Sequence, residues 1–193
     1  MQHSSSGFWQ KRYTENRTGW DLGDISPPIR AYFDQVKNRE LKILFPGCGN
    51  AYEAEYLHQN GFTNIYVLDF AEQPLLALKQ RCADFPADHI ISADFFNHKG
   101  SYDIIVEQTF FSAIDPSDRQ KYAQNVYELL KPGGKFIGVL FDKEFPGGPP
   151  FGGSQEEYRG YFELYFSHVQ MEPCYNSISP RSGTELFIKI EKD

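Results

Sequence analysis

Residues 41–69 constrain the fold of this 193-residue chain more than any other stretch. A short apolar run, Leu41 to Phe45, ends abruptly at the turn Pro46-Gly47-Cys48-Gly49. A helical pattern follows, stops at Gly61, and leads to a second apolar run that ends on Asp69. The pattern predicts a strand–helix–strand unit with a glycine-rich first turn and a carboxylate about 20 residues later, which is typical of a nucleoside-binding site.

The first turn does not suit a phosphorylated nucleotide. A dinucleotide-binding turn needs a third glycine, and Tyr52 stands at that position. Glu53 and Glu55, in the first turn of the predicted helix, oppose an anion at the helix N-terminus. No Gly-Lys-Ser/Thr sequence follows, so a Walker loop is also excluded. These residues favour an adenosine that carries no phosphate.

S-adenosylmethionine has an adenosine, no phosphate, and a positive sulfonium and ammonium group. Gly47 and Gly49 would let its methionine half approach the backbone, and Asp69 would accept hydrogen bonds from its two ribose hydroxyls. A Gly-x-Gly turn alone is weak evidence, because an ordinary strand-to-helix turn followed by a solvated aspartate has the same pattern.

The composition argues against several classes of protein. A net charge of -7 without any run of Lys and Arg argues against a nucleic-acid partner. Cys48, Cys82 and Cys174 lie far apart, so we expect free thiols in a reducing compartment, with neither a disulfide frame nor metal-ligand spacing. Residues 1–7 are polar, and no apolar stretch has membrane length. We expect a cytoplasmic protein that folds as a single domain over residues 1–193.

Residues 7–36 carry both tryptophans of the chain. Trp9 and Tyr13 are spaced i, i+4 and share one face of a predicted helix, and Trp20 follows in a loop bracketed by glycines. Ser26 is a candidate N-cap for a second helix. Two interpretations remain open: the aromatic residues either dock this segment on the core or form a lid over the ligand.

Predicted helices and strands alternate along the rest of the chain. We expect helices over residues 72–84, 117–130 and 156–166. Leu75, Leu76 and Leu78 are expected to face the core. We expect further strands over residues 90–94, 102–107, 135–141, 168–178 and 184–191. This order predicts an α/β fold with a seven-stranded, mostly parallel, doubly wound sheet that ends in an antiparallel hairpin.

Candidate ligand contacts follow the third and fourth predicted strands. In an open parallel sheet the ligand crevice lies beyond the carboxyl ends of the strands. Asp94 and Phe95, at the carboxyl end of the third strand, would either hydrogen-bond and stack on adenine or form a helix cap and part of the core. Gln108, Phe110 and Phe111, after the fourth, are candidates for the place where cofactor meets substrate.

With these residues in view, the sequence resembles the class I S-adenosylmethionine-dependent methyltransferases and, within them, the thiopurine S-methyltransferase family, in particular its plant thiol and halide methyltransferase branch. The resemblance runs from Phe8 to about Lys192. Its most specific segments are Gly19-Trp20-Asp21 with Ser26-Pro27, residues 45–49, residues 94–96, residues 110–116 with Arg119, and residues 147–151.

The resemblance implies a Rossmann-like seven-stranded sheet, an N-terminal helical lid over residues 7–36, and S-adenosylmethionine as cofactor. The cofactor contacts that it implies are Trp9, Tyr13, Trp20, Gly47, Cys48, Gly49, Asp69, Phe70, Asp94, Phe95 and Gln108. The chain departs from the family at Tyr13, where a second tryptophan is usual, and at Phe151, where the plant branch tends to have tyrosine.

We expect methyl transfer by in-line displacement to a small soft nucleophile: a thiol, thiocyanate, a halide or a thiopurine sulfur. Such acceptors need no strong general base, and no histidine stands beside these motifs at a predicted strand end; the five are His3, His58, His89, His98 and His168. An aromatic pocket would desolvate the nucleophile, and Arg181 is a candidate to attract an anion. The pocket candidates are Phe110, Phe111, Phe145, Phe151 and Arg181.

Three other functions remain open at this stage. The first is a non-catalytic module that binds S-adenosylmethionine, and the second is a methyltransferase for a metalloid oxyanion such as tellurite or selenite. The third is a nicotinamide-dependent dehydrogenase, against which Tyr52 argues. An amino-group methyltransferase is disfavoured, because Glu107-Gln108-Thr109-Phe110 replaces the Asn/Asp-Pro-Pro-Tyr tetrad after the fourth strand. We expect a small-molecule substrate, no nucleic-acid or membrane partner, no metal, and a monomer.

Overall fold

Seven strands form the central sheet of the computed structural model, which describes residues 6–193. They are β1 (Ile43–Pro46), β2 (Ile65–Asp69), β3 (Ile90–Ser92), β4 (Tyr102–Gln108), β5 (Leu130–Phe141), β6 (His168–Pro173) and β7 (Glu185–Glu191). Their order across the sheet is β3-β2-β1-β4-β5-β7-β6. Strands β1 to β5 are parallel, and β7 runs antiparallel to both β5 and β6. The predicted α/β sheet, mostly parallel with an antiparallel terminal hairpin, is confirmed. His3, one of the five histidines, lies outside the described residues.

Helices cover both faces of this sheet. They are α1 (Ser6–Thr14), α2 (Pro27–Phe33), α3 (Tyr52–Gln59), α4 (Glu72–Arg81), α5 (Arg119–Leu129) and α6 (Gln155–Phe162). Side chains alternate along a strand, so neighbouring residues of β1 enter different cores. Ile43 and Phe45 pack with α2, α3 and α4, whereas Leu44 packs with α5 and α6. Two apolar layers therefore hold the sheet between them.

Some expected details of the helices differ in the structure. Leu75 and Leu78 are buried in α4, but Leu76 is 48% exposed, because one residue along a helix turns the side chain about 100° away from the buried stripe. Ser26 precedes α2 without a side-chain capping bond; its backbone N–H donates instead to the Glu53 carboxylate at 3.1 Å. This bond ties the N-terminal segment to α3.

Arg119 joins α5, α6 and the loop between β5 and α6. Its side chain is 1% exposed and forms an ion pair with Glu157 at 2.9 Å. The guanidinium also donates to the Phe151 carbonyl at 3.1 Å and lies over the Phe111 ring. Glu157 comes within reach of Arg119 only through the packing of α6 against α5.

No helix within the described residues is both long and apolar enough to cross a membrane.

Candidate functional site

A cavity of about 570 Å³ lies at the edge of the sheet where the parallel strands end. Gly47 follows β1, Asp69 ends β2, Asp94 follows β3 and Thr109 follows β4, and all four line the cavity. Parallel strands bring their carboxyl ends to the same edge, which is where ligands bind in open α/β sheets. The topology thus assembles one site from four separate loops.

The turn after β1 needs glycine for both its conformation and its contacts. Gly47 and Gly49 have φ values of 55° and 50°, which side chains rarely adopt. A Cβ atom at position 47 would overlap the Phe110 ring, and one at position 49 would lie 2.8 Å from the Tyr13 hydroxyl. The turn is therefore in direct contact with the Phe110 ring, from the loop after β4, and with the Tyr13 hydroxyl, from α1.

Asp69 is anchored beneath this turn. Its carboxylate accepts hydrogen bonds from the backbone N–H of Gly49 at 3.0 Å and of Ala71 at 2.9 Å. Burial raises the pKa of Asp69 to about 6, although the bonds from Ala71, Gly49 and Phe70 oppose that shift. Each oxygen keeps a further lone pair, so the carboxylate can still accept hydrogen bonds from a ligand in the cavity.

Asp94 and Phe95 serve the local structure and also face the cavity. The Asp94 carboxylate accepts from the Phe96 N–H at 2.9 Å and caps a short 3₁₀ turn. Phe95 is a core residue with ring contacts to Phe110 and Tyr122. Both nevertheless line the cavity. Asp94 is therefore a helix cap and Phe95 a core residue, as one of the two interpretations predicted. The atoms of both residues that face the cavity can still contact a ligand.

The N-terminal aromatic residues form one wall of the cavity. Trp20 packs edge-on against Trp9 and Tyr13, with ring centroids 5.4 and 5.8 Å apart, and all three line the cavity. The Trp20 carbonyl accepts a hydrogen bond from the Arg181 guanidinium at 2.7 Å. The Asp21 carboxylate accepts one from the Asn50 side chain. The segment is thus docked on the body of the protein, and its three aromatic rings form part of the cavity wall.

The loop after β4 holds a strained residue at the cavity wall. Thr109 has φ of 62°, an unusual conformation for a β-branched residue, and its carbonyl accepts from the Ser112 hydroxyl at 2.8 Å. The buried Glu107 carboxylate accepts from the Phe111 N–H at 2.8 Å and from the Tyr122 hydroxyl. Burial raises the pKa of Glu107 to about 7. These bonds hold the loop in the conformation that turns Phe110 towards Gly47.

A smaller recess of about 50 Å³ adjoins the cavity and shares Trp20, Gly47 and Thr109 with it. Cys48, Gly49 and Gln108 also line this recess. The Gln108 Oε1 atom is buried and has no hydrogen-bond partner among the described residues. A buried acceptor without a partner is costly, so this atom indicates a place for a ligand that donates a hydrogen bond.

Four of the five pocket candidates lie away from both cavities. Phe111 is 1% exposed and packs against Tyr122, Tyr158 and Phe162, so it supports the wall without reaching a ligand. Phe145 packs against Phe141, with ring centroids 5.1 Å apart. The Phe151 backbone N–H donates to the Ser112 carbonyl. The Arg181 guanidinium donates to the Trp20 carbonyl. Phe110 alone of the five lines a cavity.

Several lining residues were not identified from the sequence. They include Phe96, Thr109, Ser112, Ile114, Lys121, Pro149 and Pro150. Thr109 was open to prediction because it follows the carboxyl end of a strand. Pro149 and Pro150 lie in a loop rich in glycine and proline, whose path no local pattern predicts. Lys121 lies one turn into α5 and carries no signal of its own.

The charges around the cavity favour a cationic ligand. Four carboxyl groups line it, and Lys121 is the one cationic side chain among the described lining residues; the carboxyl groups belong to Asp69, Asp94, Asp115 and Asp118. Carboxylates in a partly enclosed space attract a positive group and repel phosphate. This electrostatic pattern agrees with the two glutamates at the start of α3.

The sequence profile of the thiopurine S-methyltransferase family matches residues 4–185. The chain belongs to this family. It is 30% identical over 192 residues to a probable thiol methyltransferase 2 of Arabidopsis thaliana, covering 96% of this chain and 84% of the relative. It is 27% identical to thiocyanate methyltransferase 1 of Brassica oleracea, covering 93% and 82%. It is 28% identical to thiopurine S-methyltransferase of Photobacterium profundum, covering 81% of each.

Solved structures share the fold at low sequence identity. An N1-methyltransferase of Burkholderia thailandensis, crystallised with S-adenosylhomocysteine, superposes with a TM-score of 0.71 at 17% identity over 97% of this chain and 86% of that one. Magnesium protoporphyrin IX methyltransferase of Synechocystis, also with S-adenosylhomocysteine, has a TM-score of 0.67 at 16% identity over 98% and 95%. These structures show the class I fold, and membership of the thiopurine S-methyltransferase family shows that the protein is an S-adenosylmethionine-dependent methyltransferase.

The glycine turn yields a matched pair of variants. Gly47→Ala and Gly61→Ala both place a side chain at positive φ, but only position 47 has a ring against it. We expect Gly61→Ala to lower the free energy of unfolding by about 1–2 kcal/mol, and Gly47→Ala by about 2–5 kcal/mol. Denaturant titration measures both values. Calorimetry should show cofactor affinity at least about tenfold weaker in Gly47→Ala only. Equal effects of the two variants would contradict the contact with Phe110.

Arg181 is expected to act on the cofactor through the position of Trp20. Losing its charged hydrogen bond to the Trp20 carbonyl should weaken S-adenosylhomocysteine binding by about tenfold in Arg181→Ala. Trp20→Ala should weaken binding as well. If Arg181 acts only by holding Trp20, the double variant binds no more weakly than Trp20→Ala alone. Additive losses in calorimetry would show that Arg181 has a separate role.

Proposed function

We propose that the protein transfers a methyl group from S-adenosylmethionine to a small soft nucleophile: a thiol, thiocyanate, a halide or a thiopurine sulfur. The observation that carries the proposal is the cavity itself, in which strand-end carboxylates and an aromatic wall share one enclosed space. Relatives named for thiols, thiocyanate and thiopurines support the acceptor class.

The residues around the cavity fit the cofactor at both of its ends. Asp69 would accept hydrogen bonds from the ribose hydroxyls, and Asp94 with Phe95 would bind the adenine. The partnerless Oε1 of Gln108 would accept from the α-ammonium group in the smaller recess. Gly47 would let the methionine half lie close to the backbone. When bound, S-adenosylmethionine supplies a methyl group activated by a sulfonium.

Trp9, Tyr13 and Trp20 would exclude water from the reacting groups. In a methyl transfer, the charge of donor and acceptor disappears as they meet, so water that stabilises the separate charges slows the step. The three rings line the cavity, and the loop that carries Trp20 is tied down through Arg181 and Asn50. Orientation of the two reactants within this dry space supplies the remaining acceleration.

The acceptor would lie against the apolar part of the cavity, which is formed by Phe96, Phe110, Ile114, Pro149 and Pro150. A thiolate, thiocyanate or iodide is weakly hydrated and enters such surroundings at low cost. No histidine lines the cavity among residues 6–193, so a nucleophile that is already reactive near neutral pH fits best. Lys121 would offset the negative charge of an anionic acceptor.

We further propose a cytoplasmic monomer with a single domain and no nucleic-acid partner. The three cysteines are free in the structure, which agrees with a reducing compartment. A net charge of -7 repels polyanions. Size-exclusion chromatography with light scattering tests the monomer directly.

The pH dependence of cofactor binding tests the role of Asp69. Ribose hydroxyls donate to the ionised carboxylate, so binding favours the deprotonated form. Because the pKa of Asp69 in the free protein is about 6, affinity should be constant well above pH 6 and fall towards tenfold per pH unit below it. Calorimetry with S-adenosylhomocysteine between pH 5 and 8 measures this profile, in which a flat curve would contradict the assignment.

Two variants separate Asp69 from the other buried acid. Glu107 titrates near pH 7 and lies beneath the wall, so Glu107→Gln should keep the fall in affinity below pH 6. Asp69→Asn should bind weakly at every pH, with the dependence lost. If Glu107→Gln removed the dependence instead, the titrating group would be Glu107.

A single assay tests the acceptor class. Labelled S-adenosylmethionine is incubated with a thiol, thiocyanate, iodide, a thiopurine, or tellurite, and volatile and soluble products are counted separately. We expect methylated sulfur products, because the apolar wall favours weakly hydrated nucleophiles. Phe110→Ala should lower kcat more than cofactor affinity if its ring shapes the acceptor space. Turnover of tellurite alone would favour the oxyanion reaction, and binding without any product would favour a non-catalytic module.

A further inference from the structure

The C-terminal ends of α3 and α4 bring together three side chains with metal-binding atoms. His58 lies in the last turn of α3, Cys82 follows α4 directly, and Asp84 is two residues farther on. One donor atom from each lies within 4.8 Å of the other two. The cavity described above is at the opposite ends of these helices. Since α3 has eight residues, the two sites are separated by about 12 Å of helix.

The backbone around these three residues is well determined by its hydrogen bonds. The Cys82 N–H donates to the Leu78 carbonyl at 2.8 Å, and the Phe85 N–H donates to the Cys82 carbonyl at 3.1 Å. The His58 ring packs on Phe85, with centroids 5.2 Å apart. Cys82 is buried, whereas the Asp84 side chain is 83% exposed and is held by its contacts with His58 and Cys82. Two ligands are thus fixed by packing, and the third is adaptable.

Two of the three donor pairs have spacings close to those around a tetrahedral zinc ion, and the third pair, His58 with Cys82, lies within 4.8 Å. Bonds of about 2.0–2.3 Å at tetrahedral angles place neighbouring donor atoms about 3.3–3.6 Å apart. His58 Nε2 lies 3.2 Å from one Asp84 oxygen, and Cys82 Sγ lies 3.5 Å from the other. A small rotation of the exposed carboxylate would give both contacts to a single ion. We propose that His58, Cys82 and Asp84 bind a zinc ion, with water as the fourth ligand.

The chemistry of the three donors selects the ion. Imidazole nitrogen and thiolate sulfur suit zinc, while magnesium and calcium require oxygen ligands. Binding forms a zinc–sulfur bond as the Cys82 S–H bond breaks, and the proton leaves to the solvent without any change of oxidation state. The thiolate and the Asp84 carboxylate then neutralise the divalent charge. The adjacent cation Arg81 is paired with Glu55 at 2.8 Å.

The site is structural in function. It would connect the C-terminal ends of two helices whose N-termini lie at the opposite edge of the sheet, each three positions after Gly49 or Asp69. A cross-link between the C-terminal ends of α3 and α4 stabilises the packing of these two helices at that end. It contributes no group to the cavity, so it is independent of the methyl acceptor.

Zinc titration of the full chain tests the proposal. After treatment with EDTA and desalting, competition with a chromophoric chelator should show one zinc ion bound with a Kd of about 1 μM or lower, which is weaker than sites with four protein ligands. Zinc at a hundredfold excess over Kd should raise Tm by about 5–10 °C. Cobalt in place of zinc should give the charge-transfer absorption of a thiolate ligand.

Single variants identify the ligands. His58→Gln, Cys82→Ser and Asp84→Asn should each weaken zinc binding by about 100-fold or more, since even supporting residues of metal sites contribute 10–100-fold. Cys174→Ser is the matched control: Cys174 is also a buried free thiol, and among residues 6–193 it belongs to no cluster of metal-binding side chains. It should bind zinc like the wild type.

Cofactor affinity serves as the check on folding, because none of these four residues lines the cavity. All four variants should bind S-adenosylhomocysteine like the wild type. A wild-type Kd for zinc above about 100 μM would overturn the proposal. A loss of zinc affinity below threefold in any of the three ligand variants would also overturn it. The same holds if Cys174→Ser loses as much zinc affinity as the ligand variants.

Discussion

The hydrogen bond from the Gly49 N–H to the Asp69 carboxylate joins the ends of two neighbouring strands, and the site depends on it. It connects the turn after β1 to the last residue of β2 and aligns the glycine backbone with a buried acid. Burial raises the pKa of Asp69 because the ionised carboxylate loses its contact with water. Each hydrogen bond that a ligand donates to the carboxylate therefore stabilises this ionised form. The contact that orders the turn thus also prepares it for an adenosine without phosphate.

The rest of the wall is held by bonds from residues that do not themselves reach the cavity. Glu107, within β4, fixes the loop that carries Thr109 and Phe110, and Arg181, before β7, holds the Trp20 carbonyl. The strained φ of Thr109 persists because these surrounding contacts determine the path of the loop. A methyl transfer that needs no strong base depends chiefly on such positioning, since alignment and exclusion of water provide the acceleration.

Prediction from the sequence succeeded where the signal was local and periodic, and it failed where orientation depended on packing. The alternation of apolar runs and helical patterns was sufficient for the number of strands and for their order along the chain. It could not distinguish Phe110, which faces Gly47, from Phe111, which is buried beside Tyr122, because adjacent residues of an irregular loop have no fixed period. Leu76 was assigned to the core for a different reason: the helical period, which turns it away from the face that Leu75 and Leu78 share, was not applied.

The sequence by itself determined the α/β order, the glycine turn and the acids at the strand ends, because these follow from periodicities of two and 3.6 residues and from the edge at which parallel strands finish. Only the tertiary structure decided which distant residues meet. Arg181 reaches Trp20 across 161 residues, and His58 meets Cys82 and Asp84 only because α3 and α4 end side by side. Spacing along the chain does not encode such contacts, since they depend on how separate helices and loops pack on the sheet.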